Sequence, residues 1–308
     1  MTDFGPSVIM REPDLEKALA RLWKMPFDAP PLHRMDVPGY PRDQAAIAVV
    51  NGKVYLGTGL NGGYNKDWWE YDPTTNVWTQ KADFGGTARM EAVAVGCNGK
   101  VYLGTGYDNN IKEDWWEYNP STNVWTQKNN FGGGLCFGVE GVEIGNKIYI
   151  GLGERAPFVT DWWRYDPTDD SWTLLAVFPG NARRWFVAAA CNGKVYLGTG
   201  NDGTQYKDWW EYDPSTNVWT QKADFGGAER SGAVAAACNG KVYLGTGSDG
   251  ARYKDWWEYD PTTNVWTQKA DFGGSTRCLG LAASVDGKIF VGTGYGIAKR
   301  GDWWWQAP

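Results

Sequence analysis

Residues 239–247 read Asn-Gly-Lys-Val-Tyr-Leu-Gly-Thr-Gly, followed by Lys-Asp-Trp-Trp-Glu-Tyr-Asp-Pro at 254–261 and Asn-Val-Trp-Thr-Gln-Lys at 264–269. The Gly-Thr-Gly signal recurs every 47 residues, beginning at Gly57, Gly104, Gly151 (as Gly-Leu-Gly), Gly198, Gly245 and Gly292. The Asp-Trp-Trp signal has the same spacing and begins at Asp67, Asp114, Asp161, Asp208, Asp255 and Asp302. Six copies in one register predict a single repeat architecture without insertions.

Each copy predicts four short β-strands, because its apolar residues alternate with a period of two. In the second copy, Asn98-Gly99 is a two-residue hairpin signal between two apolar runs. Asp114–Tyr118 and Val124–Lys128 are the third and fourth strands, joined by an Asn-Pro-Ser-Thr-Asn turn. A four-stranded antiparallel meander at this period is typical of a β-propeller blade.

The composition limits the classes of partner and compartment. The 308 residues carry a net charge of −6, with a pI near 5.0, which disfavours a nucleic-acid partner. No run of 18 apolar residues exists, so no membrane-spanning helix is expected. The N-terminus lacks the features of a signal peptide, and Cys97, Cys191 and Cys238 occupy equivalent positions too far apart to pair. These features predict free thiols and a cytoplasmic protein, or a secreted one if a signal has been removed.

Two segments are predicted: an N-terminal extension at 1–28 and the propeller at 29–308. Residues 13–24 are expected to form a short amphipathic helix, with Leu15, Leu19 and Leu22 on one stripe. That helix packs on the propeller body, plugs the channel or makes a dimer contact, and the sequence leaves the three open. The sequence stops after the third predicted strand of the sixth copy. Residues 32–39 align with residues 79–86, which include part of a predicted fourth strand. An N-terminal strand is therefore expected to complete the last blade and close the ring.

The repeat resembles a known family. Val-Tyr-Leu-Gly-Thr-Gly followed by Tyr-Asp-Pro-x-Thr-Asn-x-Trp is similar to the kelch repeat, and the likeness is closest to the kelch arrays of Bacteroidetes-type bacteria. The resemblance covers residues 29–308 and implies a six- or seven-bladed propeller, of which this sequence supplies six blades. It does not fix a function, because kelch propellers include binding modules and a few enzymes.

The copies differ from one another in two connections, which emerge on the same face of a four-stranded meander. One is the loop between the second and third strands, and the other is the segment that leads into the first strand. This varied face is the predicted functional face, and kelch propellers generally bind ligands there. Arginine recurs in the second connection in five of six copies: Arg42, Arg89, Arg183, Arg230 and Arg277.

These five arginines are predicted to ring the mouth of the central channel. Like charges about 10 Å apart repel by roughly 1.7 kcal/mol at an effective dielectric near 20. Acidic side chains or an anionic ligand must therefore neutralise the arginines. In one interpretation each arginine bonds neighbouring carboxylates and carbonyls and only builds its blade. In the other the ring binds an anion. Further candidate ligand-binding residues are Asp43, Tyr64, Glu91, Tyr107, Glu154, Arg155, Arg184 and Trp185.

The third copy departs from the rest. It carries Cys136 in place of the arginine, and its loop contains Glu154 and Arg155. The next first strand opens with Arg183-Arg184-Trp185, so this sector is expected to make the distinguishing contacts with an asymmetric ligand. Cys136 is either an ordinary thiol or, beside several arginines, a thiol of lowered pKa.

Some chemistry is excluded by composition. His33 is the only histidine, which rules out a histidine-based metal site and a Ser-His-Asp triad. The histidine ligands of galactose oxidase, a copper-containing kelch relative, are missing, and no metal or cofactor is predicted. No catalytic residue can be assigned.

The first functional hypothesis is a binding module for an acidic peptide, protein segment or anionic glycan at the arginine-lined mouth. The second is a kelch-type enzyme for an anionic small molecule, with a sialic acid epimerase as the pattern and Glu91, Glu154 or a loop tyrosine moving protons. The third is a multivalent lectin that reads neutral sugars on repeated tryptophans. Whether the protein is an enzyme stays open.

Overall fold

The computed structural model describes residues 36–155, 157–306 and 308, which form 23 β-strands in six sheets. Within each sheet, consecutive strands are antiparallel neighbours. The first strands of successive sheets contact each other in a closed cycle, so the sheets are the six blades of a propeller around a central channel. Among the described residues no helix has the length and apolar character needed to cross a bilayer.

The strands of blades 1 to 3 are β1 Ala46–Val50, β2 Lys53–Gly57, β3 Trp68–Asp72, β4 Val77–Gln80, β5 Val93–Cys97, β6 Lys100–Gly104, β7 Trp115–Asn119, β8 Val124–Lys128, β9 Glu140–Ile144, β10 Lys147–Gly151, β11 Trp162–Asp166 and β12 Ser171–Leu174. The strands of blades 4 to 6 are β13 Val187–Cys191, β14 Lys194–Gly198, β15 Trp209–Asp213, β16 Val218–Lys222, β17 Ser231–Cys238, β18 Lys241–Ser248, β19 Trp256–Asp260, β20 Val265–Lys269, β21 Leu281–Val285, β22 Lys288–Gly292 and β23 Trp303–Gln306. The predicted all-β fold of six antiparallel blades is confirmed; five sheets have four strands, and the sixth has three among the described residues.

The constant turns of the repeat fix the strand register. Asn98 and Gly99, with φ of 51° and 73°, give the left-handed pair that a tight hairpin between β5 and β6 requires. After β3, the Asp72 carboxylate accepts hydrogen bonds from the Thr74 amide at 2.8 Å and the Thr74 hydroxyl at 2.6 Å. This Asx turn reverses the chain into β4.

The core lies between the blades. The first tryptophan of each Asp-Trp-Trp signal is fully buried, and Trp68 of blade 1 meets Tyr118 and Trp125 of blade 2 edge-on, with centroids 6.4 and 5.4 Å apart. A buried tryptophan removes about 150–250 Å² from water, which gives about 4–6 kcal/mol as an upper bound. Because the position repeats, one buried tryptophan per blade packs between blades.

The described start of the chain lies against the last blade. The Val37 amide donates to the Gly301 carbonyl at 2.7 Å, as the Phe84 amide does to Lys66 one period later. Val37 is buried in a cluster with Trp303 of blade 6 and Tyr71 of blade 1. The sixth sheet has three strands among the described residues. The predicted closing strand before Asp36 and the predicted helix at 13–24 lie outside them.

Candidate functional site

The five recurrent arginines bond to an aspartate and to backbone carbonyls within their own blades, and we call them the strut arginines. The Arg277 guanidinium donates to both carboxylate oxygens of Asp302 at 2.7 and 2.6 Å, to the Thr293 carbonyl at 2.9 Å and to the Ser275 carbonyl at 3.1 Å. The guanidinium also lies over the Phe272 ring, 4.9 Å from its centroid. The same four acceptor positions recur for Arg42, Arg89, Arg183 and Arg230.

This geometry corrects the expectation of an arginine-lined mouth. Each of the five side chains is at most 1% exposed, and its donors are already engaged by an aspartate and by backbone carbonyls. A ligand would have to displace a bidentate carboxylate from a buried position to reach them. The interpretation in which each arginine only builds its blade is the one that the contacts favour. Asp43, another predicted site residue, is likewise paired, with Lys299 at 2.8 Å.

Blade 3 lacks the recurrent arginine, and a different arginine pairs with its aspartate. Cys136 is buried at the arginine position, and its thiol lies 3.3 Å from the Leu152 carbonyl. Arg155, from the following loop, pairs instead with Asp161, the aspartate of this blade. Burial raises the pKa of Cys136 to about 12, against a smaller opposing effect of Arg155. Arg155 is thus a substitute strut, and the thiol is not activated.

The two varied connections meet at one end of the propeller. Phe137 pairs with Glu154 as an isolated antiparallel bridge, and Arg184 pairs with Asn201 in the same way one blade later. The residue that follows each bridge has a left-handed backbone, with φ between 54° and 63°, and lines the channel mouth: Gln44, Glu91, Gly138, Trp185, Gly232 and Leu279. The backbone is therefore common to all blades, whereas the side chains at the mouth differ.

Hydrogen bonds between these six residues form a ring that is open at one seam. Amide-to-carbonyl bonds of 2.7 to 3.3 Å join neighbouring blades at five of the six junctions. Among the described residues no such bond joins the Trp185 amide to the Gly138 carbonyl. The break lies between blades 3 and 4, in the sector where the sequence copies differ most.

Arg184 is the centre of this sector. One of its nitrogens lies 2.6 Å from Glu154, and its guanidinium stacks over the Trp185 ring, 3.9 Å from the centroid. Phe137 contacts the same guanidinium at 5.7 Å, and Tyr107 packs on Phe137, with centroids 5.7 Å apart. The Arg184 Nε is buried without a hydrogen-bond partner among the described residues, and the Trp185 indole N–H faces the Glu91 carboxyl group.

Two carboxyl groups line a cavity of about 80 Å³ at the channel mouth, which Trp185 also lines. Glu91 is 8% exposed, and burial raises its pKa to about 7; Glu154 and Asp43 act in the same direction, while Arg184 and the Trp185 indole oppose it. Burial alone raises the pKa of Glu140 to about 8. Both groups therefore carry a proton for part of the time near neutral pH.

The structure groups only some of the predicted site residues. Glu91, Tyr107, Glu154, Arg184 and Trp185 lie together, and Tyr64 extends the group by an edge-on contact with Tyr107, with centroids 6.2 Å apart. Sequence reasoning did not place Gln44, Phe137 or Glu140 in the site. For Glu140 a signal was present, because the equivalent residues are apolar: Ala46, Val93, Val187, Val234 and Leu281.

Comparison with known proteins supports the architecture. Residues 229–273 match the Kelch motif. The fold is similar to that of YjhT, with a TM-score of 0.73 over 88% of this chain and 96% of that chain. Sequence identity to that structure is 17%, so the likeness concerns the fold alone. A search of curated proteins gives no significant sequence match.

Proposed function

Since the chain is a six-bladed kelch-repeat β-propeller, we propose that it is a binding module that captures a carboxylate-bearing ligand, such as an acidic peptide or protein segment, at the channel mouth. Arg184 receives the carboxylate. The observation that carries the proposal is the buried, unpartnered Nε of this arginine, whose guanidinium is held against the Trp185 ring. Buried polar atoms are normally satisfied, so this donor marks a place for an acceptor.

Arg184 differs from the five strut arginines in its freedom to bind. Its side chain is 25% exposed, and Glu154 is its one ion-pair partner among the described residues. Stacking on Trp185 fixes the plane of the guanidinium, which leaves the Nε edge in a defined direction. That edge suits a carboxylate, because a guanidinium donates two parallel hydrogen bonds to both oxygens.

Glu91 supports the same ligand chemistry. A carboxyl group with a pKa of about 7 is neutral in about half of the molecules at neutral pH. In that form it donates a hydrogen bond and does not repel an incoming carboxylate. An ordinary glutamate at this position would be charged and would oppose binding.

The proposal is tested by replacing Arg184 with glutamine and measuring the affinity for a glutamate-rich peptide by calorimetry. The matched control is Arg252→Gln, because Arg252 is also a loop arginine stacked on an aromatic ring, 4.7 Å from Tyr295, but between blades 5 and 6. Loss of charge-assisted hydrogen bonds of about 1.5–3 kcal/mol weakens binding by about 10- to 100-fold for R184Q. An equal loss for R252Q, or no loss for R184Q, would contradict the proposal.

A second candidate is an enzyme for a small sugar acid, and the pKa of Glu91 favours it, because a general acid or base works best near its own pKa. In that case turnover would show a bell-shaped pH profile, and Glu91→Gln would abolish turnover while changing the ligand affinity by no more than a few-fold.

The lectin hypothesis gains no support from the tryptophans. The first of each pair is buried, and the indole N–H of the second, as in Trp116, is bound to the adjacent aspartate.

A further inference from the structure

The cavity at the channel mouth holds an excess of hydrogen-bond acceptors. Glu91, Glu140 and Gln44 all line it, and the remaining lining is apolar or backbone apart from the Trp185 indole. The Glu91 Oε2 and the Gln44 Oε1 are buried without a partner among the described residues. No hydrogen bond or ion pair of the described residues involves the Glu140 side chain. The lining contains no lysine, arginine or histidine.

Glu140 is out of place for a residue that only builds a blade. It begins β9, where the other five blades carry alanine, valine or leucine on the innermost strand. A charged residue at such a position costs stability unless something satisfies it. The neighbouring Glu91 is more than nine-tenths buried and lines the same cavity, so two carboxyl groups share a space that no cationic side chain lines.

We propose that this cavity is a binding site for a primary ammonium group, which would donate its three N–H bonds to Glu91, Glu140 and Gln44. A cavity of about 80 Å³ accommodates a head group of this size. A metal ion fits less well, because among the residues described no group of three His, Cys, Asp or Glu side chains is arranged to hold one. The site goes beyond the proposed carboxylate site at Arg184, with which it shares Glu91; Glu140 belongs to the ammonium site alone.

The charges around the site set its pH dependence. Glu91 faces Arg184, Glu154 and Asp43, whereas burial alone acts on Glu140. Both groups are ionised at about pH 9, where an alkylamine still carries its proton. At about pH 6 both are largely protonated, so ammonium binding weakens there.

The test measures the melting temperature of the full chain in methylammonium chloride against potassium chloride at equal ionic strength and about pH 9. A rise of about 2 °C is expected when methylammonium is at about ten times its Kd, and tetramethylammonium, which has no N–H donor, gives none. Glu140→Val and Glu140→Gln abolish the rise. Valine is compatible with the fold, because Val93, Val187 and Val234 occupy the equivalent position.

Glu140→Val separates this site from the carboxylate site, because it loses the methylammonium response while retaining the acidic peptide. A lysine peptide that binds more tightly than methylammonium identifies a protein side chain as the source of the ammonium group, and the reverse order identifies a free amine. The proposal is overturned if methylammonium stabilises no more than potassium, or if E140V and E140Q respond as the wild-type protein does.

Discussion

At the scale of single residues, the same side-chain type has two roles that differ by burial and partner. The strut arginines are buried and bidentate, whereas Arg184 is partly exposed and keeps an unpartnered edge. The repeat places arginine at the strut position in five blades, so its recurrence reflects blade construction. Arg184 occurs once, beside a strut, and its singularity is what marks it for binding.

Removing a strut should cost far more stability than removing an exposed pair. Arg277→Met removes the bidentate cationic partner of the partly buried Asp302 carboxylate, which keeps only the neutral Trp304 indole as a side-chain donor among the described residues, and should lower the free energy of unfolding by about 3 kcal/mol. Arg155→Gln, which removes a pair in which the arginine is 28% exposed, should cost about 1 kcal/mol. Urea denaturation measures both. Similar losses in the free energy of unfolding for the two variants would show that burial of the arginine does not increase the contribution of the ion pair to stability.

At the scale of the element, the turn after each third strand depends on an ionised side chain. In blade 3, hydrogen bonds from Lys147 and then from Thr168 lower the pKa of Asp166 from 3.8 to about 2. A pKa that is lower in the folded state stabilises the fold above the unfolded-state value. The contribution is lost as the pH falls from about 4 through 2, so acid weakens this turn.

Asp166→Asn should remove that part of the pH dependence. The fold tolerates the change, because Asn119 occupies the same position in blade 2 and caps its turn through the Ser121 amide at 3.0 Å. The stability of the variant should therefore fall less steeply between about pH 4 and 2 than that of the wild-type protein, as measured by urea denaturation across this range. An unchanged slope would show that Asp166 does not titrate with folding.

At the scale of the whole molecule, the sequence predicts the ring but not the placement of its charges. The 47-residue period, the Asn-Gly turns and the buried tryptophans are local signals repeated six times, so they specify blades and their order. The Arg277–Asp302 distance depends on how two connections fold back on each other, which the spacing of 25 residues along the chain does not reveal. Glu140, in contrast, can be recognised from the sequence, because the other five copies carry an apolar residue at its position.

The whole ring also shows where symmetry ends. Five junctions at the mouth are joined by backbone hydrogen bonds, and the junction between Gly138 and Trp185 is not. The residues gathered around that seam are Glu91, Phe137, Glu140, Glu154 and Arg184. A regular scaffold with one irregular sector suits a single asymmetric ligand better than several equivalent ones.

The most direct test of this account is the indole N–H resonance of Trp185, assigned with a Trp185→Phe variant and followed by NMR during titration with a glutamate-rich peptide. We expect this resonance to shift and saturate, because the Trp185 ring lies against the Arg184 guanidinium that receives the carboxylate. The indole resonances of Trp116 and Trp210, which are bound to Asp114 and Asp208, should stay in place. Saturable shifts at these outer tryptophans with none at Trp185 would contradict the assignment of the binding site to the seam between blades 3 and 4.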